Sequence, residues 1–167
     1  IAAGNLCGGD GRYPGSQGSS VIKVFDMTAA VTGVNEAAAK KAGLEVDRVI
    51  LSPLSHAGYY PGGRLMVMKV VFEKETYRLL GAQIVGYEGV DKRIDVLATA
   101  IHAGLKATEL KDLDLAYAPP YSSAKDPVNM AGFLVDNIEQ GILRQWFLED
   151  LDRLPRDGSV TLLDVRT

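Results

Sequence analysis

Cysteine and histidine are nearly missing from this chain. Across 167 residues there is one cysteine, Cys7, and two histidines, His56 and His102. A lone cysteine excludes an internal disulfide and fits a reducing cytoplasm, so a cytoplasmic chain is expected. Cys7 has no CxxC partner and reads as an inert thiol. Two histidines with no cysteine pair exclude a His-rich zinc site, and no metal ligands are expected. Long apolar runs are absent too, so no segment is long enough to span a membrane. The N-terminus has neither a basic leader nor a long apolar core, and no secretory signal is read there. Charge of one sign is not in excess. A net charge of −3 gives no reason to expect nucleic acid or an anionic membrane surface as a partner. Gly9-Asp-Gly11 with Gly15 looks only loosely like a dinucleotide loop, because the spacing is wrong and no strand precedes it. Nothing here can hold a flavin or a nicotinamide unaided.

What is present is enough apolar residue for one core. Hydrophobic residues make up 47% of the chain and charged residues 23%. Ile1 to Leu6 reads as the last turn of a helix with a glycine stop, and Ser159 to Val165 as one buried strand. A chain that opens and closes in this way is expected to be cut from a longer one. Residues 8 to 19 read as an irregular loop. Strand character follows over Val21 to Met27, then a second strand or bend at Ala29 to Gly33. Asn35 is a good N-cap for a helix from Glu36 to Ala42, which Gly43 closes. Asp47 to Ser52 reads as a third strand and Ser55 to Gly63 as a loop.

From Leu65 to Phe72 the alternation is clear, with Met66, Met68, Val70 and Phe72 on one face and Leu65, Val67, Lys69 and Val71 on the other. A polar turn at Glu73 to Tyr77 and a returning run at Leu79 to Gly86 predict a hairpin. Ile94, Leu97, Ala98, Ile101 and Leu105 fall on one helical stripe that also contains His102, read as an ordinary helix residue. His56 is read as structural, and Thr108 as the cap of a short helix through Leu113. Asp126-Pro127 is the sharpest boundary, an N-cap followed by the residue that tolerates the first helical position. The helix it opens carries Ala131, Leu134, Val135 and Ile138 on one stripe. Val128, Met130 and Phe133 lie off it, a width that fits either a second subunit or a deep place in its own core. A last helix, Leu143 to Leu154, has Leu143, Phe147, Leu151 and Leu154 on one face. The fold expected is α+β: an antiparallel sheet of four to five strands with helices on one side.

Two stretches carry more than periodicity. Leu115-Ala-Tyr-Ala-Pro-Pro-Tyr-Ser-Ser-Ala-Lys-Asp-Pro-Val-Asn-Met-Ala-Gly132 closely resembles the C-terminal signature of the coenzyme A-disulfide reductases and the related NADH oxidases and peroxidases. Gly15-Ser-Gln-Gly-Ser-Ser-Val-Ile-Lys-Val-Phe-Asp26 and Ser55-His-Ala-Gly-Tyr-Tyr-Pro-Gly62 look like the interface domain of the same family. Asp157-Gly-Ser-Val-Thr-Leu-Leu-Asp-Val-Arg-Thr167 resembles the opening strand of a rhodanese domain. The resemblance implies three parts: residues 1–14 as the tail of an FAD-binding domain, 15–140 as the dimerisation domain, and 141–167 as a linker running into a truncated rhodanese-like domain.

It further implies a homodimeric parent in which NAD(P)H reduces FAD and FAD reduces an active-site cysteine held as a mixed disulfide with coenzyme A. In such a dimer this domain reaches the partner subunit's site. Tyr117, with Tyr59 or Tyr60, would face the disulfide, and Ala118, Pro119 and Pro120 would lie at the edge of the partner's FAD. The substrate implied is coenzyme A disulfide or another disulfide or polysulfide. Two alternatives stand beside it: the interface domain of an NADH oxidase or peroxidase, and an autonomous, non-catalytic dimerisation module. The chain alone, with no FAD fold, no NAD(P)H fold and no redox-active cysteine, is expected to bind no cofactor and to be inactive.

Overall fold

The computed structural model describes residues 1–161 and 163. Its centre is a five-stranded, fully antiparallel sheet in the order β1-β2-β5-β4-β3. The strands are β1 (Ser20–Val24), β2 (Met27–Gly33), β3 (Val46–Leu51), β4 (Met66–Glu73) and β5 (Leu79–Gly86). The helices are α1 (Ala2–Leu6), α2 (Glu36–Lys41), α3 (Val90–His102) and α4 (Pro127–Glu139), with 3₁₀ turns at Ala107–Asp112 and Leu148–Arg153. The α+β fold and its sheet stand as expected.

The alternation in β4 decides which face becomes the core. Met66, Met68, Val70 and Phe72 are buried, and the register sets Met68 and Val70 level with Ile84 and Ala82 of β5. Against that face lie Ile94, Leu97 and Ala100 of α3 and Val128, Ala131 and Val135 of α4. Burying the larger of these side chains stabilises the fold by roughly 1.5–3 kcal/mol each. The other face is mostly open: Ile22, Val31, Val67 and Val85 all remain exposed. Only its β3–β4 corner is covered, because Glu36 of α2 meets Arg48 and Lys69 there, and Val71 is buried beside them.

Several local expectations are corrected. Val21 to Met27 is not one strand. β1 ends at Val24, Phe25 takes a left-handed conformation (φ 52°), and the chain reverses so that Val24 pairs with Met27. Ala29 to Gly33 belongs to that second strand. Thr108 is not a cap; the turn there is 3₁₀, and Glu109 closes it by accepting the Lys106 N–H at 2.7 Å. Leu143 to Leu154 is not an α-helix. The segment leaves α4 at Gly141 (φ 70°), lays the Phe147 ring over the Arg48 guanidinium at 3.8 Å, and makes only a six-residue 3₁₀ turn. Leu151 stays exposed and Leu143, Phe147 and Leu154 are only half-buried, so the expected stripe is not buried as one face, and a short helix without such burial is marginal. Ser159 to Thr161 form no strand, and the rest of the expected Ser159 to Val165 strand, apart from Leu163, lies outside the described residues. Of the three off-stripe residues of α4, Val128 is fully buried, Met130 is half-buried and Phe133 is exposed. Among the described residues no helix is long and apolar enough to cross a membrane.

Candidate functional site

The two loops that carry the tyrosines, one between β3 and β4 and the other between the Ala107–Asp112 turn and α4, meet. The first follows β3. Its base is closed by a bridge between Leu54 and Leu65 and by the Ser55 N–H donating to the Arg64 carbonyl at 2.8 Å. The second precedes α4 and turns tightly at its prolines, with the Tyr121 and Ser122 amides both donating to the Ala118 carbonyl (2.9 and 3.1 Å). Proline fixes its own φ and pushes the preceding residue to extended geometry, so Pro119 and Pro120 stiffen the backbone just after Tyr117. The Ala57 amide donates to the Ser122 carbonyl at 3.1 Å and ties one loop to the other.

This arrangement brings the Tyr59 and Tyr117 hydroxyls to 2.6 Å of each other. Both side chains are exposed, at 76% and 47%. The hydrogen bond it shares with Tyr59, with partial burial behind it, raises the Tyr117 phenol above its ordinary pKa of 10.0. Tyr60 takes no part in the pair. Its ring stands edge-on to buried His56 with centroids 5.6 Å apart. Ala118 and Pro119 are half-buried and Pro120 is exposed. Tyr117 opens on a cleft of about 540 Å³ whose other walls include His56, Glu88, Lys92, Pro120 and Tyr121.

Beneath the cleft is a feature that periodicity did not reveal. Arg93, in the first turns of α3, is only 1% exposed. Its Nε and Nη2 donate to the carboxylate of Asp126 at 2.9–3.3 Å, and its Nη1 donates to the Gly89 carbonyl at 3.1 Å. Asp126 is just as buried. It caps α4 by accepting the Val128 N–H at 3.0 Å and accepts the Ser122 hydroxyl at 2.6 Å. Burial alone would push its carboxyl pKa up, but the bonds from Arg93, Ser122 and Val128 outweigh burial and hold it below the ordinary carboxylate range. Gly89 is part of the same design. Its φ is 67°, and a Cβ there would overlap Arg93 Nη1. Asp126 was legible as a cap, whereas Arg93 sits one position from an apolar stripe and looks like a surface residue. The one available signal was the four-residue spacing from Gly89 to Arg93.

Dinucleotide binding finds no support in these residues. Gly8 to Gly11 lie in an exposed stretch after a single helical turn, not between a strand and a helix, and the sheet has no parallel βαβ unit to cradle a pyrophosphate. The described residues therefore do not fit FAD or NAD(P)H by themselves.

Residues 19–127 match the family described as pyridine nucleotide-disulphide oxidoreductase, dimerisation domain. The chain belongs to this family. Among curated relatives, the coenzyme A disulfide reductase of Staphylococcus epidermidis is 38% identical over 122 residues, 73% of this chain and 27% of that protein. Among solved structures, reduced Bacillus anthracis CoADR-RHD superposes with a TM-score of 0.87 at 46% identity, covering 93% of this chain and 28% of that one. A NAD-dependent persulfide reductase from A. fulgidus gives 0.79 at 47% identity, covering 83% of this chain and 26% of that one. The dimerisation domain described here thus spans roughly a quarter of the length of each.

Proposed function

We propose that this chain is the dimerisation domain of an FAD- and NAD(P)H-dependent disulfide oxidoreductase of the cytoplasm, a coenzyme A-disulfide or polysulfide reductase. In this reading Tyr117 and Tyr59 reach the partner subunit's active site in a homodimer, and Ala118, Pro119 and Pro120 lie along the edge of the partner's FAD. The observation that carries it is Tyr117 on the wall of an open cleft with its hydroxyl 2.6 Å from that of Tyr59. Similarity to coenzyme A-disulfide and persulfide reductases supports the substrate class. Residues 1–14 are the end of the preceding FAD-binding domain, and residues 141–167 lead into a rhodanese-like domain. The division near residue 15 is supported by Gln17, whose side chain donates to Thr32 Oγ1 and the Ala98 carbonyl and so anchors the chain to the domain at that point.

The chemistry asked of the pair is modest. When a disulfide is cleaved, one sulfur departs as a thiolate whose conjugate acid has a pKa of about 8.5. A phenol stays neutral beside it and donates a hydrogen bond as the negative charge builds. The two hydroxyls share one hydrogen bond, which leaves one phenolic proton of the pair free to point at the sulfur, and the contact orients that donor. Tyr60, occupied with His56, packs the loop. In the full-length enzyme, Tyr117→Phe should slow coenzyme A disulfide turnover about ten- to a thousandfold, the range for losing one transition-state donor. Reduction of the flavin by NAD(P)H should be untouched. Unchanged turnover in Tyr117→Phe and in the Tyr59→Phe/Tyr60→Phe double variant would reduce these residues to packing.

A further inference from the structure

A guanidinium taken out of water needs partners, and all three nitrogens of Arg93 find them, in groups from four places in the chain. Besides Asp126 and Gly89, its Nη2 lies 2.8 Å from the Ser55 carbonyl oxygen and 3.3 Å from that of Tyr121. Ser55 opens the first tyrosine loop, four residues before Tyr59. Tyr121 closes the second, four residues after Tyr117. One planar group therefore seats the roots of both loops, and Asp126 locks that group to the start of α4. We propose that Arg93 is a positioning residue for the reaction, fixing the contact between the Tyr59 and Tyr117 hydroxyls by holding the two loops on a common seat.

The proposal rests on the reading of that tyrosine pair as the donor to the departing sulfur. A buried ion pair that served stability alone could be replaced by apolar side chains at little cost. Two loop carbonyls, a helix-end carbonyl and a carboxylate cannot be served by an apolar group. Nor can lysine serve them, since its ammonium is a single point charge, not a five-donor fork. Displacing a reacting group by about 1 Å can cost on the order of a hundredfold in rate. A loop seat of this kind controls displacements of that size.

The test uses the full-length enzyme as wild type, Arg93→Lys, Tyr117→Phe and the double variant, each checked for flavin content and dimeric state. Arg93→Lys should lower kcat for coenzyme A disulfide about ten- to a hundredfold, change KM little, and leave flavin reduction by NAD(P)H at the wild-type rate. In the double variant the loss should be no larger than the greater single loss, because both substitutions disable the same donor. Multiplying losses, or wild-type turnover in Arg93→Lys while Tyr117→Phe is slow, would overturn the role of Arg93 and leave the tyrosines standing. Wild-type turnover in Tyr117→Phe would instead overturn the tyrosine reading itself. Should Arg93→Lys lose flavin or dimer, Ser122→Ala loosens the same clamp more gently. In that variant the Tyr117 phenol, followed by tyrosinate absorbance against a Tyr117→Phe background, should ionise nearer its ordinary range. A titration identical to wild type would overturn the proposal without any reference to turnover.

Discussion

Asp126 caps a helix, neutralises a buried arginine and accepts a serine hydroxyl, all at about 2% exposure. Asp126→Ala would leave Arg93 buried and unpaired, the situation in which a broken buried pair costs about 3–5 kcal/mol. Thermal melting should show it as a large drop in Tm, whereas replacing exposed Lys23 should change little. The carboxyl binds its proton less readily folded than unfolded, so its contribution is complete above the ordinary carboxylate range and drains as pH falls below it. Glu36 behaves the same way. Burial would raise its pKa, but bonds from Lys40 and Lys69 and the charge of Arg48 lower it from 4.5 to about 2. Stability should therefore hold on acidification until the ordinary carboxylate range and then fall toward about pH 2. Melting curves that instead improve below that range would contradict the two ion networks.

Elements were legible where the pattern was carried by burial. The β4 alternation, the β4–β5 hairpin and the Asp126-Pro127 boundary follow from residues that must be inside, or from a cap with a single geometry. Legibility failed where a competing contact decided the outcome. Phe147 could have lain on a helical stripe but sits on Arg48, an attraction no periodicity predicts. The site was half-legible in the same sense. Motif resemblance singled out Tyr59, Tyr60 and Tyr117, but only the folded loops distinguish Tyr59 from Tyr60 and expose Arg93 as their support. Gly132, inside α4, makes a further element-scale point. A Cβ there would overlap Lys111 N and crowd Leu110, so the glycine lets α4 lie directly on the 3₁₀ turn. Gly132→Ala normally gains helix propensity of about 1 kcal/mol, yet here it should destabilise by roughly 1–3 kcal/mol through overpacking. Denaturant melts giving a more stable protein would show that α4 can shift without cost.

At the scale of the whole molecule, and among the described residues, two apolar surfaces stand open on opposite sides of the core. One is the uncovered sheet face with Ile22, Val31, Val67 and Val85; the other is the outer side of α4 with half-buried Met130 and exposed Phe133. A dimerisation domain must give one of them to its partner. The cleft helps to choose. α4 is capped by Asp126, directly beneath the tyrosine loops, and Lys125 lies 4.7 Å over the Phe133 ring. A partner seated on α4 is therefore beside the cleft, whereas one seated on the open sheet face is separated from it by the core. If Tyr117 is to reach a neighbouring subunit, α4 has to be the contact. In the full-length enzyme, Phe133→Asp should weaken the dimer by about thirtyfold or more in Kd, as expected for a central aromatic anchor worth roughly 2 kcal/mol. Disulfide turnover should fall with the dimer while each subunit still accepts electrons from NAD(P)H. Val67→Asp, on the far face, should leave the dimer constant in sedimentation unchanged. The reverse pattern, with Val67→Asp dissociating the dimer and Phe133→Asp leaving it intact, would move the interface to the open sheet and separate the tyrosines from any partner site.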